Sequence, residues 1–159
     1  MKEKIKNAFS ALGFELEELE KFGCRFLYEG SNYLWIYSDD DDDFLSFALP
    51  GVLDLENVDE MISYKVMDYL NSTLKYVKVN KLYDGMWFFY ERELVDDEDL
   101  ERIISRMISH LYNAMDILHK ILKKFSAGND EDSVDSFVDD FLDIENIEIA
   151  NDDYSINDN

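Results

Sequence analysis

The chain has 159 residues, 47% apolar and 14% aromatic, which is enough for one hydrophobic core and points to a single folded domain. Its 37 acidic side chains against 15 basic ones leave a charge of −22, a balance that argues against nucleic acid or anionic membranes as partners and favours basic ones. No window approaches the roughly 18 uninterrupted apolar residues that span a bilayer, which excludes a transmembrane helix.

The first residues, MKEKIKNAFSALGF, carry charge where a signal peptide stays apolar, and the lone Cys24 has no partner for an internal disulfide. A soluble cytoplasmic protein is the expectation. The charge is unevenly spread: positions 130–159 hold 12 acidic residues and no Lys or Arg, while the remainder sets 15 basic against 25 acidic side chains. This divides the chain into an α+β domain over 1–125 and an acidic C-terminal tail over 126–159.

In chain order, Ile5, Ala8, Phe9 and Leu12 share one face of a helix over 2–12, which Gly13 ends. After a mixed acidic passage over 15–21, the stretch 22–29 reads as a strand, Gly30-Ser31-Asn32 as a hairpin loop and 33–38 (YLWIYS) as its partner. A third strand, 44–49, stops at Pro50-Gly51. Asn57 with Glu60 has the form of a capping box, and Val58, Met61, Ile62, Val66, Tyr69 and Leu70 repeat at helical spacing up to about Asn71. Strands over 75–81 and 86–94 flank a turn at Asp84-Gly85. From 97 to 124 the apolar residues, Leu100 to Leu122, recur at three and four, with acids at the start and lysines at the end that complement the helix dipole. The expected architecture is an α+β sandwich with a five-stranded antiparallel sheet and three helices, in the order α-β-β-β-α-β-β-α.

Leu12-Gly13-Phe14, Tyr28-Glu29-Gly30, the acidic turn before Phe44-Leu45, Pro50, and the run 71–79 (NSTLKYVKV) leading to Gly85 and the Glu91/Glu93 strand resemble the YbjN-like proteins over positions 1–125. That resemblance implies the type III secretion chaperone-like fold and a small homodimeric binding protein with no catalytic residues to carry over. Secretion chaperones of this fold hold extended partner segments on apolar patches, so the resemblance also implies a polypeptide partner.

Motifs for chemistry are missing. The glycines at 13, 23, 30, 51, 85 and 128 fit no phosphate-cradling pattern, and no GxSxG, HExxH or CxxC occurs. His110 and His119, nine residues apart on one helix, point to opposite sides and cannot chelate one metal. An EF-hand loop starting at Asp39 needs glycine where Phe44 stands and glutamate where Pro50 stands, so the run 39–43 reads as a solvated turn. Lys75, Lys78 and Lys81 read as edge-strand lysines that discourage strand addition. No cofactor, metal or catalytic residue is assigned.

What remains is an excess of aromatic residues. Tyr33, Trp35, Tyr37, Trp87 and Phe89 are too many for scattered surface positions; placed on the sheet face away from the helices, they make a patch that another polypeptide covers. Trp35, Tyr37, Trp87 and Phe89 are therefore the expected partner-binding residues. In the tail, Val134, Phe137, Val138, Phe141 and Leu142 follow helical spacing among acids, and Phe137, Phe141 and Leu142 are the expected docking residues of an acidic amphipathic helix. The expected function is a non-enzymatic chaperone-like or adaptor protein that dimerises and holds a polypeptide. The alternative is an acidic mimic of nucleic acid that inhibits a basic enzyme or neutralises a toxin.

Overall fold

The computed structural model of the protein describes residues 1–20, 22–37, 43–95 and 97–127, with side chains up to position 123. Met1–Lys123 forms one compact unit; of the second, Lys124–Asn159, only the helical residues 124–127 are described. The elements in order are α1 (Lys2–Ala11), β1 (Glu17–Leu19), β2 (Gly23–Tyr28), β3 (Ser31–Ile36), β4 (Phe44–Asp54), α2 (Glu60–Thr73), β5 (Val77–Leu82), β6 (Gly85–Glu93) and α3 (Leu100–Ala127). The strands lie in the order β1-β2-β3-β4-β6-β5, each antiparallel to its neighbour. The fold is thus α+β with three helices, and its sheet has six strands rather than the expected five.

The extra strand is β1, three residues (EEL) inside the passage expected to be irregular. It lacks the alternation and the branched residues that mark a strand in sequence. Its place is fixed by partners: Glu17 pairs with the Arg25 guanidinium across the ladder, and Glu18 with Lys6 of α1.

Turn chemistry shifts several boundaries. Tyr28 pairs with Ser31, so the first hairpin turns through Glu29-Gly30, both at positive φ (47° and 77°), instead of through 30–32. Leu82 pairs with Gly85, which moves the second turn to Tyr83-Asp84. Strand β4 does not stop at Pro50. An irregularity between Leu49 and Leu53 absorbs the missing proline donor and a left-handed Gly51, and pairing with β6 resumes at Leu53–Met86. The expected Asn57–Glu60 capping box is not formed; Asp59 caps α2, its Oδ1 accepting from the Met61 and Ile62 amides at 2.9 and 3.1 Å. At α3, Asp97 has φ 66° and stays outside the helix, and Asp99 Oδ1 accepts from the Arg102 amide at 3.1 Å.

Helices α1 and α3 cover one face of the sheet. Phe9 of α1 is fully buried, its ring centroid 4.9 Å from Phe26, 5.7 Å from Trp35 and 5.6 Å from Phe47, which ties β2, β3 and β4 to the helix. Burying such a side chain stabilises the fold by roughly 2 to 3 kcal/mol. Helix α3 buries Ile103, Ile104, Met107, Ile108, Leu111, Ala114, Leu118 and Ile121, the stripe its periodicity predicts. It reaches β6 through His110 against Tyr90 and the β2–β3 hairpin through Tyr112 against Tyr28. Helix α2 stands beside the edge strand β5. No helix among the described residues is long and apolar enough to cross a membrane.

Candidate functional site

Successive residues of a strand point to opposite faces, so the buried ones identify which side of each strand the helices cover. On β6, Met86, Phe88 and Tyr90 are buried, while Trp87, Phe89 and Glu91 alternate with them and project from the other face. Register extends that face across the sheet as the row Glu17, Arg25, Leu34, Ala48, Phe89 and Lys78. Its centre is apolar and its ends are charged. The Trp87 and Phe89 rings stack with centroids 6.0 Å apart and planes 15° from parallel. Trp87 lies over Gly85, where a Cβ would come within 3.4 Å of its indole nitrogen. On β2, Leu27 is 61% exposed. Helices α1 and α3 pack on the other face, and α2 flanks this one.

A groove of about 1100 Å³ runs between the face and α2, lined by Tyr64, Met67, Asp68 and Asn71 from the helix and by Lys78, Asn80, Phe89 and Glu91 from the strands. Lys78 Nζ lies 2.9 Å from Glu91 Oε2, and Ser46 donates to Glu91 Oε1 at 3.2 Å, so the charges on the floor are engaged with one another. At its wall, Asn71 accepts from the Val79 amide at 2.8 Å and donates to the Val79 carbonyl at 2.9 Å. These two bonds occupy the outward backbone groups of an edge-strand residue, the groups that an added strand would use.

Of the four expected domain residues, Trp87 and Phe89 lie together on the uncovered face. Trp35 does not. It is 1% exposed on the helix side, stacked on Phe9 and 4.7 Å from the Tyr37 ring, in register with the buried Phe47. Tyr33 is likewise buried and Tyr37 shares its side, half-exposed under the Lys2 ammonium 3.7 Å from its ring centroid. The three odd positions of this stretch face α1 and α3, and Tyr33 and Trp35 are core; the even ones, Leu34 and Ile36, face outward. Sequence reasoning missed Leu27, Leu34 and Ile36. Their alternation with the aromatic positions was visible, but which set the helices cover was not. Phe137, Phe141 and Leu142 lie outside the described residues, as do Asp39 to Asp42 of the acidic run.

The core under α1 is chemically quiet. Burial pushes the Cys24 thiol up, with Tyr37 Oη 3.9 Å away, which keeps it protonated and unreactive. Burial also pushes the Tyr33 phenol far above its ordinary range. Neither its hydroxyl nor the Trp35 indole N–H meets a hydrogen-bond partner among the described residues. No three His, Cys, Asp or Glu side chains gather as metal ligands among those residues.

Two solved structures share this architecture. The chain is similar to YbjN of E. coli, named as a candidate transcription regulator, over 72% of its own length and 88% of that chain, with a TM-score of 0.56 and 8% identity. It is also similar to an uncharacterized protein from Methanothermobacter thermautotrophicus over 77% of its own length and 96% of the other, with a TM-score of 0.58 and 13% identity. The fold is therefore YbjN-like. No family model and no curated protein matches the sequence.

Proposed function

We propose that this protein is a small non-enzymatic adaptor of the kind the chaperone-like fold serves, holding a polypeptide segment on the sheet face that α1 and α3 leave uncovered. The observation that carries this reading is the stacked Trp87–Phe89 pair, partly exposed, in register through the fully buried Ala48 with the partly exposed Leu34 and opening into the groove beside α2. A contiguous apolar strip with charged ends suits an amphipathic segment, and aromatic anchors of this size dominate the energetics of polypeptide interfaces. Because Asn71 occupies the backbone groups of Val79, the segment is held by side-chain contact with the face and not by extending the ladder at that residue.

A photo-crosslinking phenylalanine analogue in place of Phe89, activated in living cells, tests the reading; the same analogue at Asn113, exposed on α3, is the control. Adducts with another polypeptide at position 89 and none at 113 are expected. Adducts only with a second copy of this chain assign the face to a homodimer and overturn the adaptor reading, as does the lack of any adduct. With a partner in hand, Phe89→Ser weakens binding by about 2 kcal/mol or more.

A further inference from the structure

Helix α2 turns one particular stripe toward the groove. At about 100° per residue, Glu60, Tyr64, Met67, Asp68 and Asn71 fall on one side of the helix, and all of them except Glu60 line the groove directly. Glu60 stands beside it, because the Tyr64 hydroxyl donates to Glu60 Oε1 at 3.1 Å. Tyr64 is 51% exposed and Asp68 is exposed. Lys65 is about 100° round the helix from Tyr64 and lies off this stripe. Across the groove stands the β5–β6 hairpin, with Leu82 and Tyr83 38% and 90% exposed and Asp84 following in the turn.

The groove and its rim are thus apolar and acidic. Glu60, Asp68, Asp84 and Glu91 bring carboxylates against the ammonium groups of Lys78 and Lys81, and Glu91 already takes up the charge of Lys78. The balance is negative, and an overall charge of −22 reinforces it. The walls also bear on the form of an occupant. Asn71 holds the outward backbone groups of Val79, and α2 spends its own backbone bonds inside the helix, so an extended segment finds little to pair with here. A helix makes no such demand, because its backbone bonds are internal and it docks by one side-chain face.

We propose that the polypeptide segment held in this groove is a basic amphipathic helix, its apolar side on Phe89, Tyr64 and Leu82 and its lysines or arginines over Glu60, Asp68 and Asp84. The inference rests on the adaptor reading and narrows it from any polypeptide to one of stated charge and form. Burial of the apolar side supplies the affinity, while the carboxylates on α2 and at the hairpin tip orient the helix and speed its encounter. An acidic helix of the same apolar face meets like charges at both rims, which is how such a groove discriminates.

Fluorescence anisotropy of the full chain with a labelled synthetic helix of about five turns, leucines on one face and lysines on the other, tests the proposal at physiological salt. Counterparts with glutamine or glutamate in place of every lysine are the controls. Saturable binding of the lysine peptide is expected, about tenfold or more tighter than that of the glutamine peptide. It weakens roughly fivefold in Glu60→Gln/Asp68→Asn and about tenfold or more in Phe89→Ser, while Glu3→Gln/Glu101→Gln, the same loss of charge on α1 and α3, leaves it unchanged. Circular dichroism establishes that each variant folds. Equal weakening by the two carboxylate variants shows attraction spread over the whole acidic surface and overturns the placement in the groove. A glutamine or glutamate peptide that binds as tightly and is lost in Phe89→Ser overturns the basic occupant and leaves the adaptor reading standing. Failure of all three peptides to bind overturns the helix, and crosslinking at position 89 then decides the adaptor reading by itself. Binding indifferent to Phe89→Ser overturns the groove as the site.

Discussion

At the residue scale, the polar side chain that most shapes this protein is Asn71. Its amide satisfies both outward backbone groups of Val79, acting as one residue of a missing strand, and fastens α2 to the sheet edge. Each such bond contributes about 1 kcal/mol net. Asn71→Ala is therefore expected to lower stability by about 1 to 2 kcal/mol in urea unfolding, and to expose β5 to intermolecular pairing, read as concentration-dependent aggregation. An unchanged midpoint with no aggregation would show that the clasp is incidental. The lysines expected at a sheet edge are there, Lys78 and Lys81 exposed on the edge strand β5; Lys78 also pairs with Glu91 on the groove floor, and the amide of a neighbouring helix guards Val79.

At the scale of elements, β1 and β2 depend on one glycine. Gly23 pairs with Leu19 on one side and Ile36 on the other, at φ 124°, and a Cβ there would lie 2.0 Å from the Trp35 carbonyl oxygen. Backbone cannot yield as a flexible side chain can. Gly23→Ala is expected to cost about 3 kcal/mol or more, with β1 displaced from the sheet. Amide exchange is the measurement: protection lost across β1 and the start of β2 and retained in β6 is the expected pattern, and a loss of less than about 1 kcal/mol would contradict it. Helix α3 is the opposite case. Its existence and its apolar face follow from periodicity alone, because an apolar residue every third or fourth position admits one helical face and no regular strand, while its bounds shift from 97–124 to 100–127.

At the scale of the whole molecule, every buried apolar residue among those described lies between Ile5 and Ile121. These residues form the core of the unit Met1–Lys123. A chain ending at Ala127 is expected to unfold cooperatively with a midpoint within a few degrees of the full-length protein. A fall of 10 °C or more would place part of the core's support in the acidic segment, since about 1 kcal/mol moves the midpoint of a domain this size by roughly 3 to 6 °C. The truncation also removes 12 of the 37 acidic residues, so it weakens the protein's repulsion of anions.

The sequence by itself determined the class, the three helices, five of the six strands and the presence of more aromatic residues than one surface explains, because these follow from local periodicity and turn chemistry. Only the tertiary structure decided which face those aromatics occupy. Strand alternation divides residues into two sets and is silent on which set the helices cover; Phe9 and the buried stripe of α3 settle it, drawing Tyr33 and Trp35 inward and leaving Trp87 and Phe89 outside. The same holds for β1, whose pairing comes from ladder and ion-pair partners.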